Sequence, residues 1–163
     1  MAYCRTGESE VELMNKNKVL LIEDEEKTGK MLIKAMEYEG IDVVWAKEGN
    51  SALEQVKKER FDLIILDIKL PDIHGDALLE NMRSIAPYIR VIIYSVEMNA
   101  TVMKNLIEIG VEGYINKGVD TDLWEIVEKV KAKLAPFSTA ERSHLLEALP
   151  KGLFRDNHLH EEP

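Results

Sequence analysis

Val19-Leu20-Leu21-Ile22-Glu23-Asp24-Glu25 sets a four-residue apolar run directly against three carboxylates. So short and continuous a run reads as a strand buried on both faces, because a half-exposed strand would alternate. Leu63-Ile64-Ile65-Leu66-Asp67 repeats the arrangement, four apolar residues and then an acid. Outward from the first run, Glu26 to Glu39 carries Met31, Leu32, Ala35 and Met36 at helical spacing. Gly40 then stands where a helix C-terminal glycine belongs. A strand at Asp42–Trp45 and a helix at Asn50–Glu59 follow, and the second run leads through a loop to a helix near Asp76–Ile85. Val91-Ile92-Ile93-Tyr94 reads as the fourth strand, Ala100–Ile109 as a helix closed by Gly110, and Gly113–Asn116 as the fifth strand. The last helix, Thr121 to Leu134, places Leu123, Ile126, Val127, Val130 and Leu134 on one face.

Five strands alternating with five helices predict an α/β fold with a mostly parallel sheet and helices on both faces. In such folds ligands sit beyond the carboxyl ends of the strands, near the point where strand order reverses. The 163 residues favour one domain with room for tails. The single cysteine, Cys4, forms no internal disulfide and suits a reducing compartment. Charges interrupt every apolar run short of a membrane span, and the first residues lack the apolar segment of a secretory signal. A cytoplasmic protein is expected. Thirty acidic against 21 basic residues give a formal charge of −9, which repels phosphate backbones and argues against direct nucleic-acid binding.

The residues just past the strands are uneven in kind. Strand one ends in Glu23 and Asp24, strand three in Asp67, strand four in Ser95 and strand five in Lys117. Strand two ends in Ala46 and Lys47 and adds no carboxylate. Each alone has a plainer explanation. Acids from Glu23 to Glu26 suit a helix start, Asp67 a turn, Ser95 a cap, and Lys117 a solvated surface. Together they put three carboxylates, a hydroxyl and an amine at one edge of the sheet. Packed carboxylates repel, and a hard divalent cation relieves the repulsion by taking oxygen ligands. Mg²⁺ prefers few carboxylates with waters and phosphate oxygens, which fits Asp24 and Asp67 as direct ligands. A carboxylate can also attack phosphorus to form an aspartyl phosphate. The transition state spreads charge over equatorial oxygens that a metal, a lysine and a hydroxyl can stabilise.

These residues resemble the receiver domain of two-component response regulators, the CheY-like family. The matching segments are Val19 to Glu25, Asp67 to Gly75 with its Asp67-x-x-Leu70-Pro71 loop, Ile93 to Ser95 and Gly113 to Lys117. The likeness implies a flavodoxin-like five-stranded parallel sheet in the order 2-1-3-4-5 and phosphotransfer from a phosphohistidine, supplied by a histidine kinase or phosphotransfer protein. It implies Asp67 as acceptor, Asp24 as a direct Mg²⁺ ligand, Glu23 as a contact through water, and the backbone carbonyl of Lys69 as a further ligand. It implies Lys117 holding a phosphoryl oxygen, Ser95 as the switch hydroxyl and Tyr114 as the aromatic switch. The output surface would be the fourth helix, fifth strand and fifth helix, meeting a protein partner or a second copy.

Three departures from the family pattern stand out. Gly118 follows Lys117 where the family usually has proline, so a trans peptide and a freer loop are expected. Val96 replaces a smaller residue and is expected to narrow access to the phosphoryl site. Lys69 and Glu97 occupy positions that tune dephosphorylation, and an ion pair between them across the mouth would hinder attacking water.

On this reading residues 1–16 form a flexible extension, 17–134 the receiver and 135–163 a short extension with one helix. Ser138-Thr139-Ala140-Glu141 is a capping box, Pro150 would stop the helix, and Leu145, Leu146 and Leu149 give it an apolar stripe. The 29 residues after Leu134 leave no room for a winged-helix output domain. His158 and His160 fit a solvated terminus better than a metal pair, and His74 is given no role. Two other function classes compete. A phosphatase of the haloacid dehalogenase type also forms an aspartyl phosphate, but it wants an acid where Lys69 stands. A degenerate receiver serving as a scaffold is opposed by Asp24, Asp67, Ser95 and Lys117 and favoured by Gly118 and Val96. No phosphate-binding glycine loop follows the first strand.

Overall fold

The computed structural model describes residues 16–96, 99–118 and 121–135, together with 144, 147 and 148. Its strands are β1 (Lys18–Ile22), β2 (Asp42–Ala46), β3 (Leu63–Leu66), β4 (Val91–Ser95) and β5 (Gly113–Asn116). The helices between and after them are α1 (Glu26–Tyr38), α2 (Gly49–Lys58), α3 (Gly75–Ile85), α4 (Ala100–Ile109) and α5 (Leu123–Leu134). All four strand pairings are parallel, and the sheet runs β2-β1-β3-β4-β5.

The continuous apolar runs are explained by a sheet covered on both sides. Val19, Leu21, Leu63 and Ile65 pack with Leu32 and Met36 of α1 and with Ile126, Val127 and Val130 of α5. Their alternates Leu20, Ile22, Ile64 and Leu66 pack with Ala52 and Val56 of α2, with Leu78, Leu79 and Met82 of α3, and with Leu106 of α4. Successive strand side chains point to opposite faces, so both phases of the run must be apolar. Burying each such side chain contributes about 1.5–3 kcal/mol. The helices are not equally anchored: α3 and α5 each bury four residues, whereas α4 buries only Leu106.

Gly40 and Gly110 adopt positive φ of 78° and 97° after α1 and α4, the left-handed turn that glycine accepts without a Cβ clash. Element starts shift slightly from the sequence expectation. Helix α5 begins at Leu123 and not Thr121, because the Asp122 side chain caps it at Trp124 N–H. Thr121 instead donates its hydroxyl to the Asn116 carbonyl at 2.7 Å. Helix α2 begins at Gly49 with no cap from its own N-cap residue, Glu48. The carboxylate of Asp72, in the loop after β3, accepts from the Gly49 and Asn50 N–H groups at 2.9 and 2.8 Å.

No cis peptide bond occurs among the described residues, as expected where Gly118 replaces proline. The proposed helix between Ser138 and Pro150 lies outside the described residues apart from the helical positions 144, 147 and 148. The N-terminal extension before residue 16, His158 and His160 lie outside them too.

Candidate functional site

Strand order reverses at β1 and β3, and the pairing register sets Ile22 beside Leu66. The next residue on each strand, Glu23 and Asp67, therefore emerges at the same edge, and Asp67 N–H donates to the Ile22 carbonyl at 2.9 Å. One carboxylate oxygen from each of Glu23, Asp24 and Asp67 lies within 4.8 Å of the others. Glu23 is fully buried and Asp67 is 4% exposed, whereas Asp24 faces solvent. A depression of about 450 Å³ opens beside Asp24 and the Ile68–His74 loop.

Lys117, at the tip of β5, closes the cluster from the other side. Its ammonium donates to Glu23 Oε1 at 2.7 Å and to Asp67 Oδ2 at 3.0 Å. The plain reading of Lys117 as a solvated lysine fails, since its side chain is 14% exposed. Burial alone would lower its pKa, but the hydrogen bonds it donates to Glu23 and Asp67 outweigh that and hold it above the usual lysine range. Burial pushes the Glu23 carboxyl up, against the opposing pull of Lys117 and of the Glu25 N–H. Among the described residues Glu23 Oε2 has no hydrogen-bond partner. A buried carboxylate oxygen left bare beside two further acids is the donor set a hard cation satisfies.

Asp67 Oδ1 accepts from the Ser95 hydroxyl at 3.1 Å and from the Lys69 N–H at 3.0 Å. Ser95, at the tip of β4, is 1% exposed, so its hydroxyl must spend its proton on a neighbour. Tyr114 on β5 directs its hydroxyl to the carbonyls of Ser95 and Val96 at 3.1 and 3.3 Å. The Lys69 side chain is exposed and Val96 is 37% exposed, while Glu97 lies outside the described residues, and with it the expected ion pair. The loop bearing Lys69 folds back tightly: Gly75 N–H donates to the Ile68 carbonyl at 3.1 Å. A Cβ at Gly75 would lie 2.7 Å from the Ile68 Cα, so only glycine permits that approach.

The sequence reading overlooked three neighbours. The Glu25 carboxylate lies 3.6 Å from the Lys117 ammonium, and its place in the acidic run was the available signal. The Tyr94 ring has that ammonium 5.7 Å from its centroid. The Trp45 indole N–H donates to the Glu23 carbonyl at 2.8 Å, a contact between strands that no sequence spacing reveals.

Fold and site together describe an α/β sheet with an acidic, lysine-closed pocket at its switch point. The family model for the response regulator receiver domain matches residues 19–131. Sporulation initiation phosphotransferase F of Bacillus subtilis is 33% identical over 121 residues, which are 74% of this chain and 96% of that protein. The transcriptional activator protein IrlR of Burkholderia pseudomallei is 32% identical over 72% of this chain and 50% of its own length. A CheY-like receiver domain protein from Methanospirillum hungatei superposes with a TM-score of 0.69 at 27% identity, covering 74% of this chain and 94% of that one. This chain belongs to the response regulator receiver domain family, and its fold is the CheY-like, flavodoxin-like one. It spans about half the length of several transcriptional regulators that it matches.

Proposed function

We propose that this receiver takes a phosphoryl group onto Asp67 from the phosphohistidine of a sensor histidine kinase or a phosphotransfer protein, with Mg²⁺ bound beside it. The observation that supports this most is what converges on one carboxylate. Lys117 Nζ lies 3.0 Å from one oxygen and Ser95 Oγ 3.1 Å from the other, with two further acids within 4.8 Å. An Asp67 oxygen lone pair attacks phosphorus, the O–P bond forms as the N–P bond breaks, and the imidazole leaves with that electron pair. Lys117 and Ser95 each hold an oxygen of the transferring group.

Asp24 and Asp67 would bind Mg²⁺ directly, Glu23 through water and Lys69 through its backbone carbonyl, a set that fits the bare buried Glu23 Oε2. Bound Mg²⁺ supplies positive charge to the phosphoryl oxygens. The Ser95 hydroxyl exchanges Asp67 for a phosphoryl oxygen, and Tyr114, bonded to the Ser95 carbonyl, moves with it. The changed surface of α4, β5 and α5 then meets a downstream protein partner or a second copy. Lys69, Val96 and Glu97 tune water access and so the phosphoryl lifetime. Residues 17–134 carry these parts in a cytoplasmic switch that turns over nothing beyond its own phosphoryl group. No helix among the described residues is long and apolar enough to cross a membrane.

The test is exposure to a small acyl phosphate with and without Mg²⁺, read by intact mass. Gain of one phosphoryl group that requires Mg²⁺ and is lost in Asp67→Asn is expected. An unchanged mass with a competent donor would leave a phosphorylation-independent scaffold. Steady turnover of unrelated phosphate esters would instead mark a phosphatase.

A further inference from the structure

Helix α1 contains a glycine at an interior position, Gly29, buried against Trp45 of β2. Glycine inside a helix destabilises it by about 0.5–1 kcal/mol relative to alanine, so its presence calls for a reason. The reason is the indole of Trp45. A Cβ at Gly29 would stand 2.4 Å from Cζ2 and 2.6 Å from Cε2 of that ring. On its outer side the ring carries the Lys47 ammonium 4.7 Å from its centroid, and Lys47 also pairs with Glu26 in the first turn of α1 at 3.6 Å.

The wedged ring aims its one polar atom at the metal edge. Its N–H donates to the Glu23 carbonyl at 2.8 Å, while the Glu23 N–H donates to the Ala46 carbonyl at 3.1 Å. Both main-chain groups of Glu23 are thus held by the last two residues of β2. The Glu23 carbonyl shares a peptide plane with the Asp24 nitrogen, so fixing that carbonyl fixes the direction in which Asp24 leaves the chain. Asp24 needs such help: among the described residues no hydrogen bond or ion pair engages its carboxylate, which faces solvent.

We propose that Trp45 is the positioning residue that aims the Glu23 and Asp24 carboxylates at a divalent cation, through the indole hydrogen bond to the peptide between them. The proposal rests on the Mg²⁺ site proposed above. Trp45 touches neither cation nor phosphoryl group; it acts through the backbone that carries the ligands.

The experiment uses the full chain with Mg²⁺ as the probe. In Trp124→Phe, Trp45 is the sole tryptophan, and its emission is expected to change on Mg²⁺ titration with the midpoint found by calorimetry. Trp45→Phe keeps a ring against Gly29 but lacks the donor, and Mg²⁺ affinity is expected to fall about tenfold, as for other partners that orient metal ligands. Calorimetric Mg²⁺ binding with equal affinity in Trp45→Phe and the parent overturns the role of Trp45 and leaves the Mg²⁺ site standing. If Trp45→Phe does not fold, the Trp124→Phe titration decides, since invariant emission at calorimetric saturation also overturns the proposal. Absence of Mg²⁺ binding in the parent chain refutes the metal site itself.

Discussion

Replacing Lys117 by methionine keeps the aliphatic stem and removes the ammonium that lies between Glu23 and Asp67. Those carboxylates are 0% and 6% exposed at the side chain, so water cannot take over its role. Their nearest ligand oxygens lie within 4.8 Å, where two like charges repel by about 3 kcal/mol at an effective dielectric near 20. Leaving buried charge without its partner is destabilising by a similar amount, about 3–5 kcal/mol. We expect Lys117→Met to lose about 3 kcal/mol in urea unfolding at pH 7.5, on the order of 10 °C in Tm. The loss should shrink on acidification. Glu23 is already raised by burial, and losing Lys117 raises it further, since that partner lowers it in the parent. For a carboxyl with a raised folded-state pKa, the unfolded chain deprotonates first as pH rises. The penalty is therefore absent below the unfolded value and grows up to the folded one. Mg²⁺ should also restore stability, by about 2.7 kcal/mol at one hundred times its Kd, and should bind the variant more tightly because no ammonium competes for the carboxylates. A deficit below 1 kcal/mol, or one equal at pH 7.5 and pH 5, would refute the reasoning.

Asp72→Ala removes the cross-loop cap of α2 and should cost about 1 kcal/mol in urea unfolding. Burial favours the neutral form of Asp72, but the Asn50 and Gly49 N–H groups outweigh it and lower its pKa. The difference between parent and variant should be complete above the ordinary carboxylate range and vanish as pH falls through the lowered value. Arg83→Met should cost about 2 kcal/mol by thermal unfolding, because the guanidinium binds the carbonyls of Pro87, Ile89 and Gly110 and joins the turns that follow α3 and α4.

What could be read in advance follows from which interactions are local. The runs at Val19–Ile22 and Leu63–Leu66 disclosed the buried strands because a two-sided burial leaves no polar phase, and Gly40 and Gly110 marked real left-handed turns. Glu23, Asp24, Asp67, Ser95 and Lys117 were legible as strand-end residues, since a parallel sheet delivers all its carboxyl ends to one edge. Geometry between distant segments was not legible. The start of α2 depends on Asp72, more than twenty residues on. The plain reading of Lys117 as solvated fails only because β5 ends beside two acids. Trp45 enters the sequence only as the end of a strand, and no local pattern places its indole N–H on the Glu23 carbonyl.

The uneven anchoring of the helices has a mechanical corollary. With Leu106 as its sole fully buried side chain, α4 can slide or tilt while sacrificing little packing, whereas α3 would have to uproot three and α5 four. A single charge-assisted hydrogen bond, about 1.5–3 kcal/mol, is comparable to the burial of that one leucine. Amide exchange across α4 should accordingly be the fastest of the five helices.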